Sequence, residues 1–121
     1  MPSVRALTLP ALLIAAGAAA QELGPGFTLF QQSCRTCHVM EAGDNRLGPT
    51  LAGVVGSKAG AVADFAYSDV MAQSTVVWDD SSLDAFLADP GGFMPGNRML
   101  YQGMSSADDR AAVIAYMAGG G

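Results

Sequence analysis

Apolar residues recur at helical spacing in only three stretches of this chain. Phe27, Phe30, Cys34 and Cys37 follow Gly24-Pro25-Gly26 at steps of three or four. That spacing predicts a short helix that starts at the turn and leads into the cysteines. Leu83, Phe86 and Leu87 form a second apolar face. Asp80 or Ser81 starts that helix, Ser81 and Asp84 resemble a capping box, and Pro90-Gly91-Gly92 ends it. Val113, Ile114, Tyr116 and Met117 form a third face, with Ser105 or Ser106 as its cap. Asp108 and Asp109 suit the positive start of that helix, and Gly119 to Gly121 stop it. Ser68 suits the cap of a fourth, shorter helix through Gln73.

The intervening segments are long and rich in turn residues, from Gly43 to Gly60 and from Phe93 to Met104. Ser74-Thr75-Val76-Val77-Trp78 is the best strand candidate and is too isolated to build a sheet. The expected fold class is therefore all-α, one small domain with unusually large loops and no internal repeat. Loops of that length in a small domain usually serve a function.

The N-terminus adds a targeting signal. Arg5 is a positive n-region, Ala6 to Ala16 is apolar apart from Thr8 and Pro10, and Ala18-Ala19-Ala20 is a small-residue cleavage site. The expected signal peptide is residues 1–20, cleaved after Ala20. The stretch is short for a membrane span, and Pro10 and Gly17 interrupt it. No cysteine follows the cleavage site, which argues against a lipoprotein anchor. The whole chain carries a formal net charge of −5, and loss of Arg5 makes the remainder one unit more negative. The remaining basic residues are Arg35, Arg46, Lys58, Arg98 and Arg110. Nucleic-acid binding lacks its basic footprint here. A docking partner would present positive charge or an apolar patch.

Cys34-Arg35-Thr36-Cys37-His38 carries the chemistry. Cys-x-x-Cys-His is the attachment signature for c-type haem. Two thiols three residues apart share one face of a helical turn and can bond to two vinyl groups, and the next residue offers an imidazole to the iron. A simple disulfide, a thioredoxin-like redox pair and structural zinc are the competing readings. The redox pair wants a βαβ context, and zinc wants four ligands where the chain has Cys34, Cys37 and His38. A covalently held apolar haem would also supply interior to a chain of this size. Export suits it, since haem attachment to bacterial c-type proteins takes place outside the cytoplasm.

His38 is the only histidine, so ligation by two histidines of one chain is excluded. The second ligand must come from a methionine sulfur or from Lys58, the only lysine. Met94, Met99 and Met104 share one loop, and spacing alone does not choose among them. Met/His ligation would raise the reduction potential.

These residues together resemble the class I cytochromes c, closest to the mitochondrial and purple-bacterial soluble type, across essentially all of residues 21–121. The resemblance implies a mono-haem cytochrome c domain over those residues. Its N- and C-terminal helices would pack together, with long loops wrapping one covalent haem c. Gly26 and Phe30 match the N-terminal helix positions that meet the C-terminal helix, and Val113 and Tyr116 match their partners. Pro49 matches a proline whose carbonyl accepts a hydrogen bond from the proximal histidine. Tyr67 and Trp78 match residues that hydrogen-bond a haem propionate. Pro95-Gly96-Asn97-Arg98-Met99 matches the ligand loop and selects Met99 as the axial ligand. The implied cofactor-binding set is Cys34, Cys37, His38, Pro49, Tyr67, Trp78 and Met99, with His38 and Met99 on iron.

Three positions depart from the mitochondrial pattern. Phe86 stands in place of a tyrosine that reaches the ligand sulfur, Ser57 in place of an arginine near a propionate, and Asn97 in place of the loop threonine. The first two changes lower the expected potential. The family's lysine ring is also missing. The resulting expectation is a periplasmic, monomeric electron carrier that is not an enzyme. Its redox protein partners would be membrane oxidoreductase complexes or a periplasmic dehydrogenase, with no nucleic acid and no membrane span after cleavage. Two alternatives stand beside it: a haem enzyme or gas sensor with a labile distal ligand, and a dedicated electron-acceptor subunit of one dehydrogenase. In the haem-free chain the site should appear as an apolar cavity lined by Cys34, Cys37, His38, Pro49, Trp78, Phe86 and Met99.

Overall fold

The computed structural model describes residues 1–11 and 24–121. Residues 1–11 are exposed and without regular structure, and the expected cleavage site after Ala20 lies outside the described residues. Five helices follow: α1 (Gly24–Ser33), α2 (Asp69–Ala72), α3 (Asp80–Ala88), α4 (Pro90–Phe93) and α5 (Ala107–Ala118). Helix α5 is the hub, packing on both α1 and α3, while α4 packs on α3. The strand candidate contributes a single bridge, between Lys58 and Val77.

The α1–α5 crossing depends on a missing side chain. Gly26 sits against the main chain of α5, where a Cβ would collide with the Ala112 carbonyl oxygen and lie 2.8 Å from the Tyr116 Cβ. This close approach brings the Tyr116 ring to 5.2 Å from that of Phe30 and 5.9 Å from that of Phe27. Phe30 and Val113 are 2% and 0% exposed and close the seam. The four residues matched to a helix–helix contact in the sequence therefore do form one.

The caps explain where the helices begin. Ser106 accepts from the Asp109 N–H, and Ser68 accepts from the Met71 N–H. At α3 the capping box lies two residues earlier than the sequence suggests. The Asp79 carboxylate accepts from the Ser82 N–H at 2.8 Å, and the Ser82 hydroxyl accepts from the Asp79 N–H at 2.9 Å. Asp79 has the extended backbone that a cap requires. Asp84, expected in the box, instead accepts a 2.7 Å hydrogen bond from Arg110 of α5. Arg110 also donates to the Met104 and Ser105 carbonyls, so it ties α3, α5 and the preceding loop together. Pro90 does end α3, but it also opens α4 at the first helical position.

Gly26→Ala should lower stability by about 2–3 kcal/mol through overpacking at the crossing. Urea unfolding should show a lower midpoint with an unchanged slope, since the surface exposed on unfolding stays the same.

Candidate functional site

Helix α1 runs straight into the cysteine motif. The Cys34 and Arg35 N–H groups donate to the Phe30 carbonyl, and the Cys37 and His38 N–H groups donate to the Cys34 carbonyl. One further turn therefore holds Cys34, Cys37 and His38 in a fixed relation. Neither cysteine is in a disulfide, and both are half-buried. Burial, and then the neighbouring Cys37, push the Cys34 thiol up to about 11. It is therefore a neutral thiol at physiological pH and not a redox-active thiolate.

His38 is held by two neighbours in the following loop, Pro49 and Gly48. Its Nδ1 lies 2.8 Å from the Pro49 carbonyl oxygen. A carbonyl only accepts, so Nδ1 carries the proton and Nε2 keeps the lone pair. Burial lowers the His38 pKa, and the Pro49 bond opposes this without reversing it, so the ring is neutral at pH 7. Gly48 lies against the ring, and a Cβ there would overlap the imidazole atoms. The loop that provides Gly48 and Pro49 is fixed beside the motif at both ends. The Gly48 N–H donates to the Cys37 carbonyl, and the Leu51 N–H donates to the Val39 carbonyl, both at 2.9 Å. Buried Thr50 adds a 2.6 Å bond to the Glu41 carbonyl, and Asn45 accepts from the Thr50 N–H.

The remaining candidates fall into two groups. Trp78 and Phe86 lie in the hydrophobic core, and Cys34 and Met99 pack against the same core from its margin. The Trp78, Phe86 and Phe93 rings close on one another with centroids 5.0 to 6.1 Å apart. Met94 and Met104 are buried, whereas Met99 is only partly so. Tyr67 lies further out. Its oxygen accepts from the Val62 N–H at 3.1 Å, leaving the hydroxyl proton free to donate.

Two cavities among the described residues lie away from the cysteine motif. One, of about 400 Å³, is lined by Tyr67, Ser68, Asp69, Val70, Gly96 and Arg98. The other, of about 300 Å³, lies between Pro25, Gly26 and helix α5. Tyr67 is thus the nominated residue that lines a cavity, and it does so beside the Met99 loop. The sequence reading also missed the roles of Gly48 and Thr50, although a glycine next to Pro49 was a visible cue to close backbone approach.

The donor set suits a c-type haem. It combines two adjacent free thiols, a neutral imidazole whose open nitrogen is fixed by its other bond, and a thioether at the edge of an apolar core.

Gly48→Ala should push the His38 ring off Pro49 and cost about 1–3 kcal/mol. The Nδ1 proton, shielded by its hydrogen bond in the wild type, should then exchange with solvent measurably faster by NMR.

The profile of the Cytochrome c family matches residues 24–120. Cytochrome c2 iso-2 of Magnetospirillum fulvum is 51% identical over 84 residues, which cover 69% of this chain and 88% of the relative. Cytochrome c of Chlamydomonas reinhardtii is 39% identical over 103 residues, covering 84% and 92%. Among solved structures, cytochrome cH from Methylobacterium extorquens superposes with a TM-score of 0.73 at 38% identity, covering 78% of this chain and 95% of that one. With the motif, the helix crossing and these relatives in agreement, the chain belongs to the cytochrome c family, as an electron carrier with one covalently attached haem c.

Proposed function

We propose that this protein is exported, loses residues 1–20, and shuttles single electrons in the periplasm through a His/Met-ligated haem. The observation that carries this reading is the His38–Pro49 bond. It leaves Nε2 as the one imidazole nitrogen able to reach a metal, in the only histidine of the chain. Among the described residues, no helix is long and apolar enough to cross a membrane.

When bound, haem c supplies a one-electron ferric/ferrous couple. Cys34 and Cys37 would hold it through thioether bonds, so it would not dissociate between partners. His38 and Met99 would supply the two protein ligands to its iron. Tyr67 and Trp78 would hydrogen-bond a propionate. Trp78, Phe86 and Phe93 surround the site with apolar rings that exclude water, which lowers the local dielectric and the reorganisation needed when charge changes. His38 is committed to iron, and no other histidine exists to act as an acid–base group. That favours a carrier over a peroxidase. The net acidity of the chain favours a partner with a basic docking face, such as a membrane oxidoreductase complex or a periplasmic dehydrogenase. The carrier works as a monomer.

The loaded protein should show low-spin spectra in both oxidation states, with a weak far-red sulfur-to-ferric-iron band. Carbon monoxide should leave the ferrous form unchanged. Met99→Ala should abolish the far-red band and open the ferrous protein to carbon monoxide. High-spin spectra or rapid carbon monoxide binding in the wild type would instead point to a sensor or an enzyme.

Phe86 lies against Trp78 and Phe93, with no hydroxyl to offer the ligand sulfur. Phe86→Tyr should raise the potential by about 20–40 mV, which is what a hydrogen bond of roughly 0.5–1 kcal/mol amounts to for one electron. A redox titration showing no rise would remove Phe86 as the cause of a low potential.

A further inference from the structure

Met99 lies in a stretch without regular structure, between the end of α4 and the start of α5. A ligand on such a segment stays in place only if its backbone is held. The structure shows what holds it. The Asn97 side-chain amide donates to the Pro90 carbonyl at 3.0 Å and to the Met94 carbonyl at 2.9 Å. Its oxygen accepts from the Met99 N–H at 2.9 Å. The Asn97 main-chain N–H adds a 3.2 Å bond to the Met94 carbonyl.

The direction of this amide is set by chemistry. Turned over, it would aim its oxygen at two carbonyl oxygens and its NH2 at an N–H donor. In the observed sense both N–H donors and the carbonyl oxygen are satisfied by main chain. The two carbonyls belong to the start and the C-cap of α4, and Phe93 in that helix packs on Phe86 and Trp78. The aromatic core, α4, Asn97 and the Met99 backbone thus form one continuous connection. The other side-chain tether of this loop, from Arg98 to the Ala66 carbonyl, does not touch Met99 itself.

We propose that Asn97 is the positioning residue that keeps the Met99 sulfur on the iron. It does so by fixing the Met99 backbone against α4, and it thereby closes the sixth coordination site to small ligands. This inference rests on the assignment of Met99 as the axial ligand. Asn97 touches neither the sulfur nor the haem in this scheme. Its effect falls on how often the sulfur leaves.

The test uses haem-loaded, exported protein and two readouts, the far-red band of the ferric form and the rate of carbon monoxide binding to the ferrous form. Asn97→Ala removes all three side-chain bonds and should speed carbon monoxide binding by about tenfold or more. Asn97→Asp keeps the acceptor but sets a carboxylate against two carbonyls, so it should be at least as fast. Asn97→Thr can still accept from the Met99 N–H through its hydroxyl and should fall between Ala and wild type. Gly26→Ala destabilises the fold far from the loop and should leave both readouts at wild-type values. Wild-type carbon monoxide rates in Asn97→Ala would overturn the proposal. So would an equal acceleration in Gly26→Ala, because the effect would then track global stability. Met99→Ala separates the two ideas. A far-red band that survives there refutes the ligand assignment, whereas a band lost there but unchanged in Asn97→Ala refutes only the role of Asn97.

Discussion

The hydrogen bond between His38 Nδ1 and the Pro49 carbonyl is the constraint on which the rest of this structure depends. A neutral imidazole has one donor and one acceptor nitrogen. Spending the donor on a main-chain carbonyl turns the acceptor toward whatever the cysteine motif holds. That single bond needs much of the surrounding fold. Helix α1 must extend one turn to present the ring, and α5 must hold α1 in place through the Gly26 crossing. The Gly48–Leu51 segment must run beside the motif, which the two main-chain bonds and Thr50 ensure. Of the two close approaches only the one at Gly48 touches the imidazole, and a side chain there would push the ring off Pro49.

The distal side is built differently. No helix carries Met99, and its loop is held by side-chain bonds from Asn97 and Arg98. In the proposed scheme His38 is therefore fixed mainly by covalent spacing and main-chain bonds, and Met99 by a few exchangeable side-chain contacts. Each such contact contributes on the order of 1 kcal/mol. This asymmetry suits a carrier only if the distal contacts act together, since any one alone is easily broken by thermal motion.

Much of this was legible in the sequence, and the reasons differ by element. The α1–α5 seam could be read because Gly26, Phe30, Val113 and Tyr116 sit at helical spacing and match a resembled contact. Cap identity was legible for Ser68, and at α5 it was narrowed to Ser105 or Ser106, of which the structure uses Ser106. It was misplaced at α3, where Asp79, Ser81 and Ser82 all suit a cap and only the extended backbone at Asp79 decides. The proximal bond followed from a resemblance at Pro49, and so did the choice of Met99 over Met94 and Met104. Met94 and Met104 are core residues, and Met99 sits at the margin. The Asn97 bracket was out of reach because its partners are carbonyls, which every residue has. Only the folded path of the loop brings those of Pro90 and Met94 within reach of one amide.

The departures at Phe86 and Asn97 gain a common meaning from this arrangement. A tyrosine at position 86 could offer the ligand sulfur a hydroxyl, acting directly on the atom that meets the iron. Phe86 offers only a ring face, so potential and ligand retention can no longer both depend on that contact. Asn97 holds Met99 through its backbone nitrogen, several bonds from the sulfur, and in the proposed scheme would withdraw no electron density from it. Retention is then separated from tuning. In the proposed scheme such a chain would run at a lower potential than its mitochondrial counterparts without loosening Met99. That combination suits a carrier that must accept electrons at a fixed potential while excluding the small oxidants and gases that an open iron would bind.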